Sequence, residues 1–248
     1  MIKGLSEKDK FNDKLPARSP FAHKISNLAS HLTDHAFNTI LGADVSIEHK
    51  NYLELSKADI TKFNLPEKYV VITTGFTSKT REWLPESVNG VSEYCVSKGY
   101  TPVYLGRSFT KADAAGGIKG TFVANYDNGI NLIDKTNLFE AASIMENAKT
   151  TLGLDNGLIH LAACRPKSHV IAGFTTVKPE HRLPYRNNIK GYNFEVIYPT
   201  EQELSCIGCQ SKMNFASHDF RECFYKDYHC LKLLTSDKWI AKLERVLI

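Results

Sequence analysis

Long hydrophobic runs are missing from this chain: no window approaches the roughly 18 consecutive apolar residues that a membrane helix needs. Residues 1–14 carry charges of both signs and no apolar stretch, so no secretory signal is expected and the cytoplasm is the expected compartment. Runs of five or more basic residues are also missing. The 31 Lys and Arg are spread along the chain against 27 Asp and Glu, for a net charge of +4. That excludes the dense basic footprint of a dedicated nucleic-acid binder, yet suits an anionic ligand such as a nucleotide. No internal repeat and no low-complexity tract is present, which excludes solenoid and disordered classes. What remains is 248 residues, 42% hydrophobic and 23% charged. This is the composition of a globular protein with one large or two small domains and a core that does not depend on disulfides.

The chain divides into three parts. Residues 1–65 begin with a polar arm bounded by Pro16 and Pro20. A helix follows over 21–41, where Ile25, Leu28, Leu32, Phe37, Ile40 and Leu41 recur at helical spacing before Gly42. A short strand at 52–55 and a helical piece opening at 56–59 lead to Pro66. Residues 66–200 alternate compact β-branched runs with helical patterns. Strands are expected at 69–74, 101–105, 122–123, 132–133, 150–154 and 169–173, and helices at 85–98, 138–148 and 157–164. Such alternation predicts an α/β, Rossmann-like, doubly wound parallel sheet, with a ligand crevice along the carboxyl ends of its strands. Residues 201–248 form a small cysteine-rich module and a C-terminal helix.

Three segments fall at expected strand ends. After the first strand, Gly75, Thr77, Ser78, Lys79 and Arg81 combine hydroxyls with cations, a composition suited to phosphate oxygens. The segment lacks P-loop spacing, and a solvated loop would read the same way. Thr136, Asn137 and Glu140 have the spacing of a capped helix start. In Asp155-Asn156-Gly157-Leu158-Ile159-His160, a strand turns into a helix within two or three residues. The N–H groups of that start attract an anion, and Asp155 at the strand tip can accept hydrogen bonds from sugar hydroxyls. The structural alternatives are that Asp155 or Asn156 is a helix cap, and that His160 is a partly buried structural histidine.

Cysteine is scarce until the tail. Cys95 and Cys164 sit among apolar residues and read as small core side chains. Cys206-x2-Cys209-x13-Cys223-x6-Cys230 combines one tight pair with two wider positions. This is a ligand set for one tetrahedral zinc or iron, with His218 and His229 in reserve. Free thiols and disulfides are the alternatives, and a cytoplasmic chain favours the metal over disulfides. The module is expected to staple residues with little core of their own. Phe215, Phe220, Phe224, Tyr225 and Tyr228 would be its mini-core or an oligomer surface.

Taken in order, Thr77 and Arg81 before Trp83, Thr136 to Glu140, Asp155 to Ala163, and Gly173-Phe174-Thr175 resemble the donor-binding half of glycosyltransferase family 9, the ADP-heptose:lipopolysaccharide heptosyltransferases. The Asp-Asn-Gly-Leu-Ile-His-Leu-Ala-Ala run is the specific part. Arg81 stands where the family usually has Lys, and Asn156 where it has Ser or Thr. The resemblance implies a GT-B donor domain and an inverting glycosyltransferase with a nucleotide-diphospho-sugar donor, ADP-heptose-like. Thr77, Lys79, Arg81, Thr136, Asp155, Asn156, Gly157 and His160 would meet that donor. It also implies that no catalytic metal takes part, and that the four cysteines resemble the iron-holding tail of autotransporter heptosyltransferases. The family's general base is an Asp of the acceptor-binding domain, of which residues 1–65 resemble only the end. Asp34 and Asp44 are candidates by residue type alone. Saccharide, protein and DNA-base acceptors are all compatible, as are a homo-oligomer and a partner chain. The rival class is a nucleotide-sugar-binding or assembly module without its own acceptor domain.

Overall fold

β-Branched and aromatic runs too short for helices build a sheet that is buried on both faces. The computed structural model describes residues 55–74, 79–107, 128–165, 167–182, 194–212, 223 and 225–248. The strands are β1 (Tyr69–Thr73), β2 (Thr101–Leu105), β3 (Ile130–Asn131), β4 (Thr151–Leu154), β5 (Val170–Gly173) and β6 (Phe194–Ile197). All pair in parallel, in the order β3-β2-β1-β4-β5-β6. This is the strand order of a Rossmann sheet, whose direction of winding reverses between β1 and β4. The expected helix over 21–41, the strand at 122–123, and Asp34, Asp44, Thr77 and His218 lie outside the described residues.

Alternation along β1 sends Val70 and Ile72 to one face and Tyr69 and Val71 to the other. Helix α1 (Pro85–Ser97) and the C-terminal helix α6 (Ser236–Leu243) pack together on the first face. Helices α2 (Leu138–Asn147) and α3 (Gly157–Ala163) pack on the second. Asn137 and Glu140 form the expected capping box at the start of α2. The third strand lies two residues earlier than the apolar pair Leu132-Ile133 suggested. Leu132 N–H still bonds Tyr104 O, but Asp134 then takes a left-handed φ of 60° and ends the strand. β6 was not foreseen, because Glu195 interrupts its apolar pattern. It is the edge strand beside β5, where a charge is tolerated, and Lys242 neutralises Glu195 at 3.0 Å. The helical piece expected from 56–59 appears later, as a single 3-10 turn at Thr61–Phe63 held by Asp59.

The tail has no core apart from that of the sheet. Ile207, Cys230, Leu231, Leu234, Trp239, Leu243 and Leu247 belong to the same apolar cluster as Val70, Ile72, Leu152 and Ile171. Trp239 is fully buried and stacks on Trp83 with ring centres 3.9 Å apart. Trp83 Nε1 donates to Ser87 Oγ, which donates in turn to Leu234 O at 2.7 Å. A Cβ at Gly173 would stand 2.8 Å from the Trp239 ring, so glycine at the tip of β5 is what lets the tail seat. The tail thus has little core of its own, and hydrophobic burial against the sheet anchors it. Short helices α4 (Cys209–Lys212) and α5 (His229–Lys232) complete the tail.

Candidate functional site

A crevice of about 870 Å³ opens at the carboxyl ends of the strands, where the sheet's winding reverses. Each strand from β1 to β5 sends residues into it: Arg81 beyond β1, Gly106 and Arg107 beyond β2, Asp134 and Thr136 beyond β3. Asp155 to Leu158 and His160 follow β4, and Arg182 follows β5. The start of α2 adds Asn137, Leu138 and Ala141. Leu138 is exposed and, with Ala141 and Leu158, gives the crevice an apolar side.

Asp155 is the hub. Its side chain is 4% exposed, and its backbone N–H donates to Gly173 O across the β4–β5 pair. Oδ1 lies 2.7 Å from His160 Nε2, one turn into α3. Oδ2 faces two guanidiniums, Arg81 Nη1 at 3.5 Å and Arg182 Nη1 at 3.8 Å. Burial pushes the pKa of this carboxyl up. The hydrogen bond with His160 and the charges of Arg182 and Arg81 more than offset that, and the group sits below the ordinary carboxylate value. Burial also lowers the pKa of the Arg81 guanidinium, Asp155 opposing the shift and Arg182 adding to it. The carboxylate expected to meet sugar hydroxyls thus lies at the strand tip with His160, Arg81 and Arg182 around it.

Asn156 is the helix cap that sequence offered as the structural reading. Its Oδ1 accepts from Leu158 and Ile159 N–H at 3.0 and 3.1 Å, and its Nδ2 donates to Thr73 Oγ1. Two of the N–H groups expected to greet an anion are thus already satisfied. Gly157 is different: a Cβ there would meet no atom within 4 Å, so the backbone presents open space to the crevice.

Of the other expected donor residues, Thr136 lines the crevice and Thr77 lies outside the described residues. Lys79 is not among the residues lining the crevice. It opens the 3-10 turn Lys79–Arg81, and its ammonium sits 5.1 Å from the centre of the Tyr228 ring, against the tail. Its partner in the turn, Arg81, points the other way. Arg107, Asp134 and Arg182 were missed. Each follows a strand in the sequence, but none falls within a recognisable motif, and only the sheet gathers them.

The four tail cysteines line one second cavity of about 30 Å³, together with Thr80, Thr175 and Thr176. Burial, with neighbouring cysteines adding to it, raises the pKa of Cys209 and of Cys230 to about 12. Thr176 Oγ1, buried in the same wall, has no hydrogen-bond partner among the described residues. No three His, Cys, Asp or Glu side chains among the described residues stand close enough together to hold a metal ion. Cys95 is a buried core residue as expected, whereas Cys164 is half-buried after α3. No described helix is long and apolar enough to cross a membrane.

The fold matches known glycosyltransferases. The chain superimposes on the dodecameric iron-containing heptosyltransferase TibC of enterotoxigenic E. coli, solved with ADP-D-β-D-heptose, at a TM-score of 0.63 and 22% identity. That match covers 92% of this chain and 55% of TibC. A family 9 glycosyltransferase of Veillonella parvula gives a TM-score of 0.59 at 16% identity, over 89% of this chain and 61% of that one. The chain thus spans little more than half the length of the solved structures it matches. No curated protein matches the sequence. The family profile covers residues 13–211, four-fifths of the chain, and includes all three strand-end segments that reach the crevice; the chain belongs to glycosyltransferase family 9 (heptosyltransferase).

Proposed function

We propose that this chain binds a nucleotide-diphospho-sugar of the ADP-heptose type and supports inverting transfer of the sugar to a hydroxyl acceptor. The observation that carries the reading is the crevice where the sheet's winding reverses, with Arg81, Arg107 and Arg182 facing into it. A guanidinium binds two phosphate oxygens at once and stabilises the charge that builds on the departing nucleotide. Arg81, held on a short turn and mostly buried, is placed for that role. Thr136 and its backbone would meet the nucleoside, and the open space over Gly157 leaves room for the ligand's close approach. The general base is expected from acceptor-side residues. The acceptor, whether saccharide, protein or DNA, belongs to the proposal only as a class of hydroxyl-bearing partners.

The four cysteines suit a structural zinc or iron. Thiolate is the ligand both metals take; the four cysteines line one cavity, where no three of them stand close enough to hold an ion until their side chains draw together. Cys206, Cys209, Cys223 and Cys230 would hold the ion, which supplies cross-linking of the tail and no step of the transfer.

The test is to incubate the purified chain with ADP-heptose and follow ADP release, alongside calorimetric titration with ADP. Binding with release or transfer supports the enzyme. Binding without turnover, even with acceptor supplied, identifies a binding or assembly module instead. Salt-dependent DNA association would single out the nucleic-acid acceptor. Light scattering checks whether the chain forms a homo-oligomer.

A further inference from the structure

The crevice carries more cation than its own carboxylates can neutralise. Three guanidiniums line it among the described residues, against the carboxylates of Asp134 and Asp155, before His160 is counted. Two of the three converge on one oxygen: Arg81 Nη1 at 3.5 Å and Arg182 Nη1 at 3.8 Å from Asp155 Oδ2. Well-formed charge-assisted hydrogen bonds run about 2.7–2.9 Å, so Asp155 satisfies neither guanidinium fully. Asp155 is also engaged from its other side by His160 Nε2. The Nε of Arg81 is buried without a hydrogen-bond partner among the described residues. A buried charge in this state is costly unless a counter-ion joins it. The anion that completes the set must reach two forks at once, which suits a diphosphate better than a single carboxylate.

We propose that Arg182 is the second diphosphate-binding guanidinium of the donor site, sharing Asp155 with Arg81 when no donor is present and turning to the phosphates when one binds. This deepens the nucleotide-sugar reading above and rests on it. Arg182 is suited to the move. It directly follows the 3-10 turn Pro179–His181 beyond β5, and its side chain is 31% exposed against 13% for Arg81. Arg81 is the fixed cation and Arg182 the adjustable one. Asp155 acts as a positioning residue in this arrangement: it holds two guanidiniums and His160 beside the ligand's space.

The experiment compares the full chain with its Arg182→Gln and Arg182→Lys forms. ADP binding is read by calorimetry over a range of salt, and adenosine binding by ligand-observed NMR. Arg182→Gln should weaken ADP about 10- to 100-fold, the worth of a charge-assisted contact, and flatten the salt dependence of that affinity. Adenosine binding should stay within about twofold, because no phosphate is present to feel the loss. Arg182→Lys should recover part of the affinity, since it restores charge without the planar fork. Melting temperatures should stay close to that of the parent, because Asp155 keeps Arg81 and His160. Unchanged ADP affinity in Arg182→Gln would overturn the assignment of Arg182 while leaving the nucleotide-sugar reading standing. Equal losses for ADP and adenosine would likewise overturn it, marking a structural role. No ADP binding by the unaltered chain would overturn both.

Discussion

The crevice and the cysteine cavity lie on two sides of one turn. Thr80, the middle residue of Lys79–Arg81, lines the cysteine cavity, while Arg81 lines the crevice. Thr175 Oγ1 donates to Thr80 O at 2.9 Å and ties the turn to the segment beyond β5. The two sites are built differently. The crevice is about 870 Å³ and draws residues from beyond the ends of five strands. The cysteine cavity is about 30 Å³ and draws on turns and short helices of the tail, with Thr80, Thr175 and Thr176 from the sheet side. A site assembled by a sheet holds unlike residues at fixed positions and has room for a ligand. A site assembled by turns can hold little more than an ion, and it depends on the tail being seated by hydrophobic packing.

The largest effects should come from breaking what each site rests on. Asp155→Ala leaves two guanidiniums without their shared carboxylate. It should destabilise the chain by about 3–5 kcal/mol, as loss of one partner from a buried charge cluster does, and ADP binding should fall with it. Urea unfolding measures this; a fold left at full stability would show that Asp155 is not the hub. Trp239→Ala attacks the other region and should cost about 3–5 kcal/mol as a large buried side chain is lost, with the tail loosening first in hydrogen exchange. If the tail stayed protected, the cysteines rather than the aromatic stack would be holding it.

A smaller effect separates the regions cleanly. Cys209→Ser should reduce bound zinc or iron from about one equivalent to a small fraction by metal analysis, and should leave ADP affinity within a few-fold. A large loss of ADP binding would mean that the shared turn passes tail order on to Arg81. Gly157→Ala should leave stability within about 0.5 kcal/mol while weakening ADP, because a Cβ there meets no atom within 4 Å and would crowd the proposed ligand. An ADP affinity equal to the parent's would place the ligand elsewhere in the crevice. The smallest effect is one of pH. The folded-state pKa of Asp155 is depressed, so its stabilisation is fully present above the ordinary carboxylate pKa of 3.8 and is lost only as pH falls below that value. An acid-unfolding curve of Asp155→Asn should therefore converge with that of the parent at the acid end.

The regular sheet was readable because β1, β2, β4 and β5 are buried on both faces and appear as continuous apolar runs between helical segments. β6 escaped and β3 was expected two residues late for the opposite reason: an edge strand can carry Glu195, and a two-residue strand is too short to show a period. Within the crevice, Asp155, Asn156, Gly157 and His160 were readable because they are contiguous at a strand-to-helix turn. Their roles were less so. Whether Asn156 greets an anion or caps a helix depends on where its side chain points, and it points back at Leu158 and Ile159.

Composition and hydrophobic rhythm were enough to establish the α/β class, the parallel strands, the capped start of α2 and a cysteine-rich tail, because each follows from neighbours along the chain. The convergence of Arg81 and Arg182 on one buried carboxylate, the turning away of Lys79 toward Tyr228, and the burial of the tail under Trp83 and Trp239 were decided only by tertiary structure. Charges and rings a hundred residues apart become partners only when the sheet brings strand ends together. No local spacing records which of them will face the same space.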